Sequence, residues 1–435
     1  MEYLFLVLFA LSLAFCFAKG FSVIFALLFG LVLFFCHGLI KGHSLSQMLG
    51  YTKAGIKKSK KIAITMGLIG ALTAMWRASG TIAFVVYHVS RFCIPSFMLI
   101  MTFWCCAFTS FLLGTAFGTA ATMGSVCMTL AVSMGMSPYL VGGAVLSGCF
   151  LGDRCSPISS TTHLVSDITK TSVFSNLKNI VKTSFVPFLL ASAIYLVIGV
   201  ISDVMGADPT TGQLFADNFN LTSVTALPIA FMLLLSFFHF EVRRTLSVSI
   251  ILSIIVALFW QGVAFWKIPG ILLFGFTPED AELARVIGGG GLFSMWKVIC
   301  VVLIASCFSG IFEGTGFLAK IEETVQSLNQ KAGNFFSTFI VSILSSVIAC
   351  NTAFCVMLTC QLCDKSYENK SSLAIDIENT AVAIITLIPW SISCALPLET
   401  VGAPSTSIFF AIYLIAVPLY NLYLDWNKKK QTKSK

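Results

Sequence analysis

Gly114-Thr115-Ala116-Phe117-Gly118-Thr119-Ala120-Ala121-Thr122-Met123-Gly124 stands in the middle of an apolar block spanning residues 95–135. One bilayer crossing takes roughly 20 residues, so the block is too long for a single span, yet no polar loop divides it. Glycine weakens a helix, and threonine hydroxyls satisfy backbone groups that unwinding exposes. Unwound backbone at membrane depth is tolerated only where it is buried in protein or lines a wet cavity. Its freed carbonyls are suited to Na+, while half-helix N-termini hold anions. Close helix packing through small residues is the other reading of this stretch. The first reading predicts a discontinuous helix or re-entrant hairpin at Thr115, Gly118 and Thr119.

Composition sets the solvent around this stretch. The 435 residues are 57% hydrophobic and 11% charged, with a mean hydropathy of +0.92. A soluble domain carries about 25% charged residues, so lipid must surround most of the chain. The formal charge of +8 then reads as Lys and Arg retained on the cytoplasmic side, not as a nucleic-acid surface. Most of the 15 Cys lie inside apolar runs, as small core residues rather than a disulfide framework. Cys360-Gln361-Leu362-Cys363 is a lone CxxC with no second pair or nearby His. Met1-Glu2-Tyr3 carries no basic segment and no small-residue cleavage site follows, so the first apolar run is read as a retained span.

Apolar stretches recur to the C-terminus, predicting an all-α membrane protein of about 10–12 transmembrane helices. Residues 1–61 form a helical hairpin and a basic loop with Lys41, Lys53, Lys57, Lys58, Lys60 and Lys61. Residues 62–182 make a first core, 183–291 connecting helices, and 292–435 a second core with the Lys428-Lys429-Lys430 tail. Basic residues concentrate at 41–61, 166–182, 241–244, 319–331 and the tail, whereas 205–220 and 267–291 contain Asp208, Asp217, Glu279, Asp280 and Glu282. The positive-inside rule therefore puts both termini in the cytoplasm of a multi-pass bacterial inner-membrane protein.

The two cores resemble each other in order. Trp76-Arg77-Ala78-Ser79-Gly80-Thr81-Ile82 can be laid on Phe312-Glu313-Gly314-Thr315-Gly316-Phe317-Leu318. Gly114-Thr115-Ala116-Phe117 then meets Asn351-Thr352-Ala353-Phe354, and Asp153–Ser159 meets Leu387–Ser391. On the charge count, 62–88 and 292–317 cross in opposite directions, which predicts two inverted-topology repeats.

Leu151-Gly152-Asp153-Arg154-Cys155-Ser156-Pro157-Ile158-Ser159-Ser160-Thr161-Thr162-His163 carries the strongest local signal. A carboxylate and a guanidinium at membrane depth cost several kcal/mol each unless paired or wetted, and such groups usually line transport pathways. Pro157 removes a backbone donor, and the Ser/Thr cluster supplies partners. Asp153 is the candidate proton or cation carrier, with Ser156, Ser159, Thr161 and Thr162 around it; the plain alternative is a salt bridge with Arg154 at a loop end.

Gly148-x-x-x-Gly152-Asp153-Arg154-x-Ser156-Pro157-x-Ser159-x-Thr161-Thr162 resembles the signature of NhaC-type sodium/proton antiporters, typically Gly-Asp-Lys-x-Ser-Pro-x-Ser-Asp-Thr-Thr. Gly114-Thr115-x-x-Gly118-Thr119, Ser79-Gly80-Thr81 and Ile388-Pro389-Trp390 are similar to further landmarks of that family. The resemblance runs from residue 60 into the C-terminal spans and implies ion-coupled exchange with Na+ and H+; some relatives carry organic acids or amino acids. This sequence departs from the pattern at several points. Ser160 stands where the family usually has Asp, and His163 where it commonly has Asn. Asn351-Thr352-Ala353-Phe354 lacks an Asp-Gln pair, and at Glu378-Asn379 only the first of two usual carboxylates remains. Fewer carboxylates make a solute exchanger more plausible.

The sequence thus predicts a secondary transporter working by alternating access. Asp153 and Glu378 titrate, and Thr115, Gly118, Thr119, Asn351, Thr352 and Asn379 line the crossing of two breaks. Arg77 and Glu313 occupy matching positions and form a gating pair, or Arg77 binds a substrate carboxylate, or both snorkel independently. A small carboxylate or amino acid is the alternative cargo. No cofactor is expected, nor any metal beyond transported Na+. The expected partners are a small ion or solute and the lipid bilayer, without nucleic acid, and a homodimer is compatible with the sequence. None of the five His is placed for a membrane enzyme's nucleophile–base or metal constellation.

Overall fold

A computed structural model describes all residues except 1, 20, 91–93, 158, 203–208, 239, 281, 282, 285, 286, 318–332, 350, 434 and 435. The basic loop expected at 319–331, and Asp208 and Glu282, therefore lie outside the described residues. Helices α1 (Glu2–Lys19) and α2 (Val23–Ile40) form the expected hairpin. Ser44 and Gln47 close a capping box that starts α3, Leu45–Ala78, since each side chain satisfies an otherwise orphaned backbone donor of the first turn. Gly80, at φ 73°, turns the chain into α4 (Thr81–Ser90), and the two helices meet at 62°.

Helix α5 (Met98–Leu113) stops at Gly114, whose φ of 62° is left-handed. Thr115 is extended, at φ −153° and ψ 125°, and α6 follows over Ala116–Ser133. Its second turn, Ala120–Gly124, is π-helical. Helix α7 (Pro138–Cys155) reveals how these two lie. Gly148 packs on Phe103 and Cys106, and Gly152 on Ala107 and Phe111, so α7 runs parallel to α5. Phe117 packs on Phe150 and Gly124 on Val145, so α6 runs back between them. The apolar block is a hairpin of two helices turning at Gly114–Thr115. Glycines four apart let α5 and α7 approach backbone to backbone, which is how helices gain packing energy in lipid. After Cys155 a turn containing Pro157 leads to α8 (Ser160–Thr169).

Helices α9 (Val173–Ile201), α10 (Pro209–Asn218), α11 (Leu227–Phe237), α12 (Val242–Phe259) and α13 (Ile268–Phe274) connect the cores. Helix α14 (Trp296–Thr315) ends at Gly316, φ 60°. Along α3, residues Tyr51, Gly55 and Gly70 meet Gly310, Ser306 and Gly291 in turn, so α3 and α14 are antiparallel. A side chain at Gly55 would run into the Ser306 carbonyl. Gly80 and Gly316, aligned in the sequence, both adopt left-handed backbone. Phe34 packs on Phe308 and Phe312, at 5.5 and 4.7 Å between centroids, seating α2 on α14.

Helices α15 (Asn334–Ala349) and α16 (Thr352–Cys363) flank Asn351, extended at φ −144° and ψ 152°. Ser346 meets Cys355 and Thr338 meets Tyr367, so this pair is also a hairpin. Helix α17 (Lys370–Asn379) breaks at Thr380 and continues as α18 (Ala381–Ile384) and a 3-10 turn to Leu387. Ser342 bonds Thr380 and Trp390 bonds the Val347 carbonyl, so this stretch runs parallel to α15. A turn containing Pro389 leads to α19 (Ile392–Val401), bent 53° from what precedes it. Helix α20 (Ile412–Lys433) closes the chain.

Among the described residues four helices are long and apolar enough to cross a membrane alone, or six if each bent pair counts as one span. Other apolar helices run 10–17 residues. Hydropathy reads more spans because apolar windows continue through turns such as Gly114–Thr115, where the helices stop.

Candidate functional site

Asp153 lies in the last turn of α7 and is 5% exposed. Ser159 donates to its Oδ1 at 2.9 Å and Thr161 to its Oδ2 at 3.2 Å. Both donors come from the N-terminus of α8, where the Ser159 hydroxyl also accepts from the Thr161 and Thr162 amides. The proline turn thus folds α8 back onto the end of α7 and supplies Asp153 with two hydroxyls. A buried carboxylate without such partners would cost several kcal/mol.

The carboxyl group faces a cavity of about 360 Å³. Four chain segments meet there, each the start of a helix: Thr115–Phe117, Ser160–Thr161, Asn351–Ala353 and Ile392–Ser393. The hairpin turns of both cores therefore open on one space beside Asp153. Asn351 Oδ1 caps its own helix, accepting from the Phe354 amide at 2.9 Å. Thr352 and Ser393 share a hydrogen bond of 2.6 Å, joining α16 to α19. Helix starts carry partial positive charge, so the cavity sets one carboxyl group among four weak positive ends.

Arg154, the next residue, points elsewhere. It is fully buried, and its guanidinium donates to the Tyr413 hydroxyl and to Asn379 Oδ1, each at 2.9 Å. Thr183 also donates to Asn379 Oδ1, at 3.2 Å. Glu378 Oε2 stands 3.9 Å from Arg154 Nε with neither side chain exposed. Glu378 has no hydrogen-bond partner among the described residues. Arg154 thereby ties the end of α7 to the α17–α18 break and to α20. It does not bridge to Asp153 at a loop end: its Nη donors go to Tyr413 and Asn379, and its Nε, 3.9 Å from Glu378, makes no hydrogen bond among the described residues.

The residues singled out in the sequence separate into groups. Asp153, Thr161, Thr115, Asn351 and Thr352 line the cavity, and Ser159 bonds the carboxylate. Ser156 donates to the Phe111 carbonyl, Thr162 to the Arg154 carbonyl and Thr119 to the Thr115 carbonyl. Gly118 packs on the Thr115 methyl group. These four hold the turns in shape. Glu378 and Asn379 belong to the Arg154 cluster. The pairing of Arg77 with Glu313 is corrected: Arg77 donates to the Ile287 and Gly288 carbonyls, while Gly314, next to Glu313, packs on Tyr51. Tyr51 and Arg77 lie 26 residues apart on α3, about 39 Å at 1.5 Å per residue. The alignment of breaks is also one residue out: the extended residues are Thr115 and Asn351, where the sequence had set Gly114 against Asn351. Sequence reading missed Ser393, Thr183 and Tyr413. Ser393 was within reach, because it follows Ser391 as Thr161 follows Ser159.

Two helical hairpins whose turns meet at a buried carboxylate, inside a largely apolar α-helical chain, define a polytopic secondary transporter. Comparison with known proteins makes the class specific. A family profile described as the Na+/H+ antiporter family matches residues 2–164 and 148–426, and the chain belongs to that family. It is 26% identical over 397 residues to the Na(+)/H(+) antiporter NhaC of Alkalihalophilus pseudofirmus, covering 88% of this chain and 84% of the relative. It is 26% identical over 388 residues to the antiporter NhaC of Bacillus subtilis, covering 86% of each. The malate-2H(+)/Na(+)-lactate antiporter of Bacillus subtilis is 24% identical over 365 residues, 81% of this chain and 78% of that relative.

Proposed function

We propose that this protein exchanges Na+ for H+ at Asp153. The observation that carries the reading is the convergence of Asp153 and both hairpin turns on one cavity of about 360 Å³. Asp153 holds either a proton or a cation, and the Ser159 and Thr161 hydroxyls keep its oxygens oriented in both states. Thr115, Asn351 and Thr352 supply hydroxyl, amide and carbonyl oxygens of the kind that coordinate Na+ at helix breaks. The antiparallel run of α3 against α14 and the like build of the two cores support an inverted-topology repeat. Alternating access then proceeds by rocking one core against the other around the cavity. The site belongs to the bacterial inner membrane, with both termini cytoplasmic. The homodimer compatible with the sequence stays part of this reading, and the protein's mass in lipid nanodiscs tests it.

Carriage of a small carboxylate is the second reading. Four helix starts around one cavity favour an anion, and one relative is named for malate and lactate exchange. The test is transport in everted vesicles lacking native antiporters. Sodium-dependent collapse of a pH gradient, lost in Asp153→Asn, is the expected result. A sodium response that survives Asp153→Asn rejects Asp153 as the carrier. Uptake of a labelled organic acid with no sodium-driven proton movement selects the second reading.

A further inference from the structure

Two grooves run along one exposed edge of α3. Ile64 and Leu68, one helical turn apart, line both. The first groove, about 740 Å³, has Leu235, Phe240 and Val248 on its far wall. The second, about 570 Å³, has Leu292, Ile299 and Leu303. The shared wall is therefore a ridge with an apolar furrow on each side.

The charges gather at one end. Trp76 donates to Ser249, and Gln261 donates to the Ser79 carbonyl. Arg243 and Arg244, at the start of α12, share the first groove with Ile64 and Leu68. Residue numbers thus rise together along α3 and α12, and the helices are parallel. Arg243 and Arg244 therefore stand toward the N-terminal end of the first groove, as Lys57 and Lys60, one to two turns before Ile64, stand toward the N-terminal end of the second. Glu241 pairs with both arginines, leaving four cations against one carboxylate. Apolar furrows under a cationic end match an anionic phospholipid, whose phosphate is drawn to Lys and Arg beside a membrane helix.

We propose that this face binds an anionic phospholipid, with acyl chains in the furrows astride Ile64 and Leu68 and phosphate at Lys57, Lys60 and Arg244. A second copy of the chain fits the face less well. Two copies related by a two-fold axis along the membrane normal would bring the same cations to the same level, where like charges repel.

The test is native mass spectrometry of the full-length protein titrated with phosphatidylglycerol, diphosphatidylglycerol and phosphatidylethanolamine. Either anionic lipid is expected to stay bound where phosphatidylethanolamine leaves. At about fivefold per charge, Lys57→Gln with Arg244→Gln lowers that retention about thirtyfold. Lys53→Gln, an exposed residue of α3 outside both grooves, leaves it unchanged. Equal retention of the zwitterionic lipid, or retention indifferent to the double change, overturns the proposal. So does a lipid-free dimer that cross-links through Leu68→Cys.

Discussion

Two proline turns of the same build do different work. At the end of α7, Ser156-Pro157-Ile158-Ser159 hands the chain to α8; at the end of α18, Ile388-Pro389-Trp390-Ser391 hands it to α19. In each, the closing serine caps the next helix with its hydroxyl oxygen. In each, the same hydroxyl donates to the residue six positions back. There the likeness ends. Ser159 meets the carboxylate of Asp153 at 2.9 Å, whereas Ser391 meets the main-chain carbonyl of Ile385 at 2.6 Å. One turn carries a group able to hold a proton or a cation, and the other has a greasy side chain there. The two turns thus border one cavity in the same way, and only one of them brings it a carboxyl group.

The comparison breaks most sharply at Asp153. Asp153→Asn is expected to reduce sodium-dependent proton movement to background while the protein keeps its fold. The amide oxygen still accepts from Ser159 or Thr161, and no buried charge is left unmatched. The proposed exchange has proton and sodium compete for one carboxylate, so the apparent affinity for sodium should fall as pH is lowered. An affinity that does not change with pH across the active range would count against a single shared carrier.

Arg154 probes the opposite property. It touches neither the cavity nor Asp153's oxygens, yet it joins α7 to Glu378, Asn379 and Tyr413. Arg154→Gln strands a buried Glu378, and breaking such a pair costs about 3–5 kcal/mol. Arg154→Lys keeps a charge beside Glu378, but an ammonium cannot reproduce the guanidinium fork, so it should recover only part of the loss. Thermal unfolding in detergent reads both variants. Together with Asp153→Asn they separate the carrier from the tie: one abolishes transport at normal stability, the other loses stability first.

Sequence reading singled out Asp153 and stopped short of the partners of Arg154, for a physical reason. Asp153 announces itself because a carboxylate in an apolar run is costly, and the cost is visible without knowing the fold. Gly80 and Gly316 were aligned in the sequence, and the structure puts both in the left-handed backbone that favours glycine at a helix end. The partners of Arg154 come from α17 and α20, and nothing local in the sequence brings Glu378, Asn379 and Tyr413 to it. The hydrogen-bond partners of Arg77 were out of reach for the same reason, being main-chain carbonyls that carry no side-chain signature. The one-residue slip between Thr115 and Asn351 came from aligning identities, Thr-Ala-Phe on Thr-Ala-Phe. The backbone instead repeats the extended residue before each helix, which Thr fills in one core and Asn in the other.

The smallest expected effect tests the comparison most directly. Removing either serine hydroxyl deletes one helix cap, a loss of about 1 kcal/mol, so Ser159→Ala and Ser391→Ala should lower unfolding temperature by similar small amounts. Transport should tell them apart. Ser391→Ala frees only a main-chain carbonyl and leaves the apparent affinity for sodium where it was. Ser159→Ala also withdraws a donor from Asp153, so the carboxylate loses one of its two hydroxyl anchors and the sodium affinity moves. Equal shifts in both variants would mean that the cavity senses helix capping alone, and Asp153 would then gain nothing from the turn that holds it.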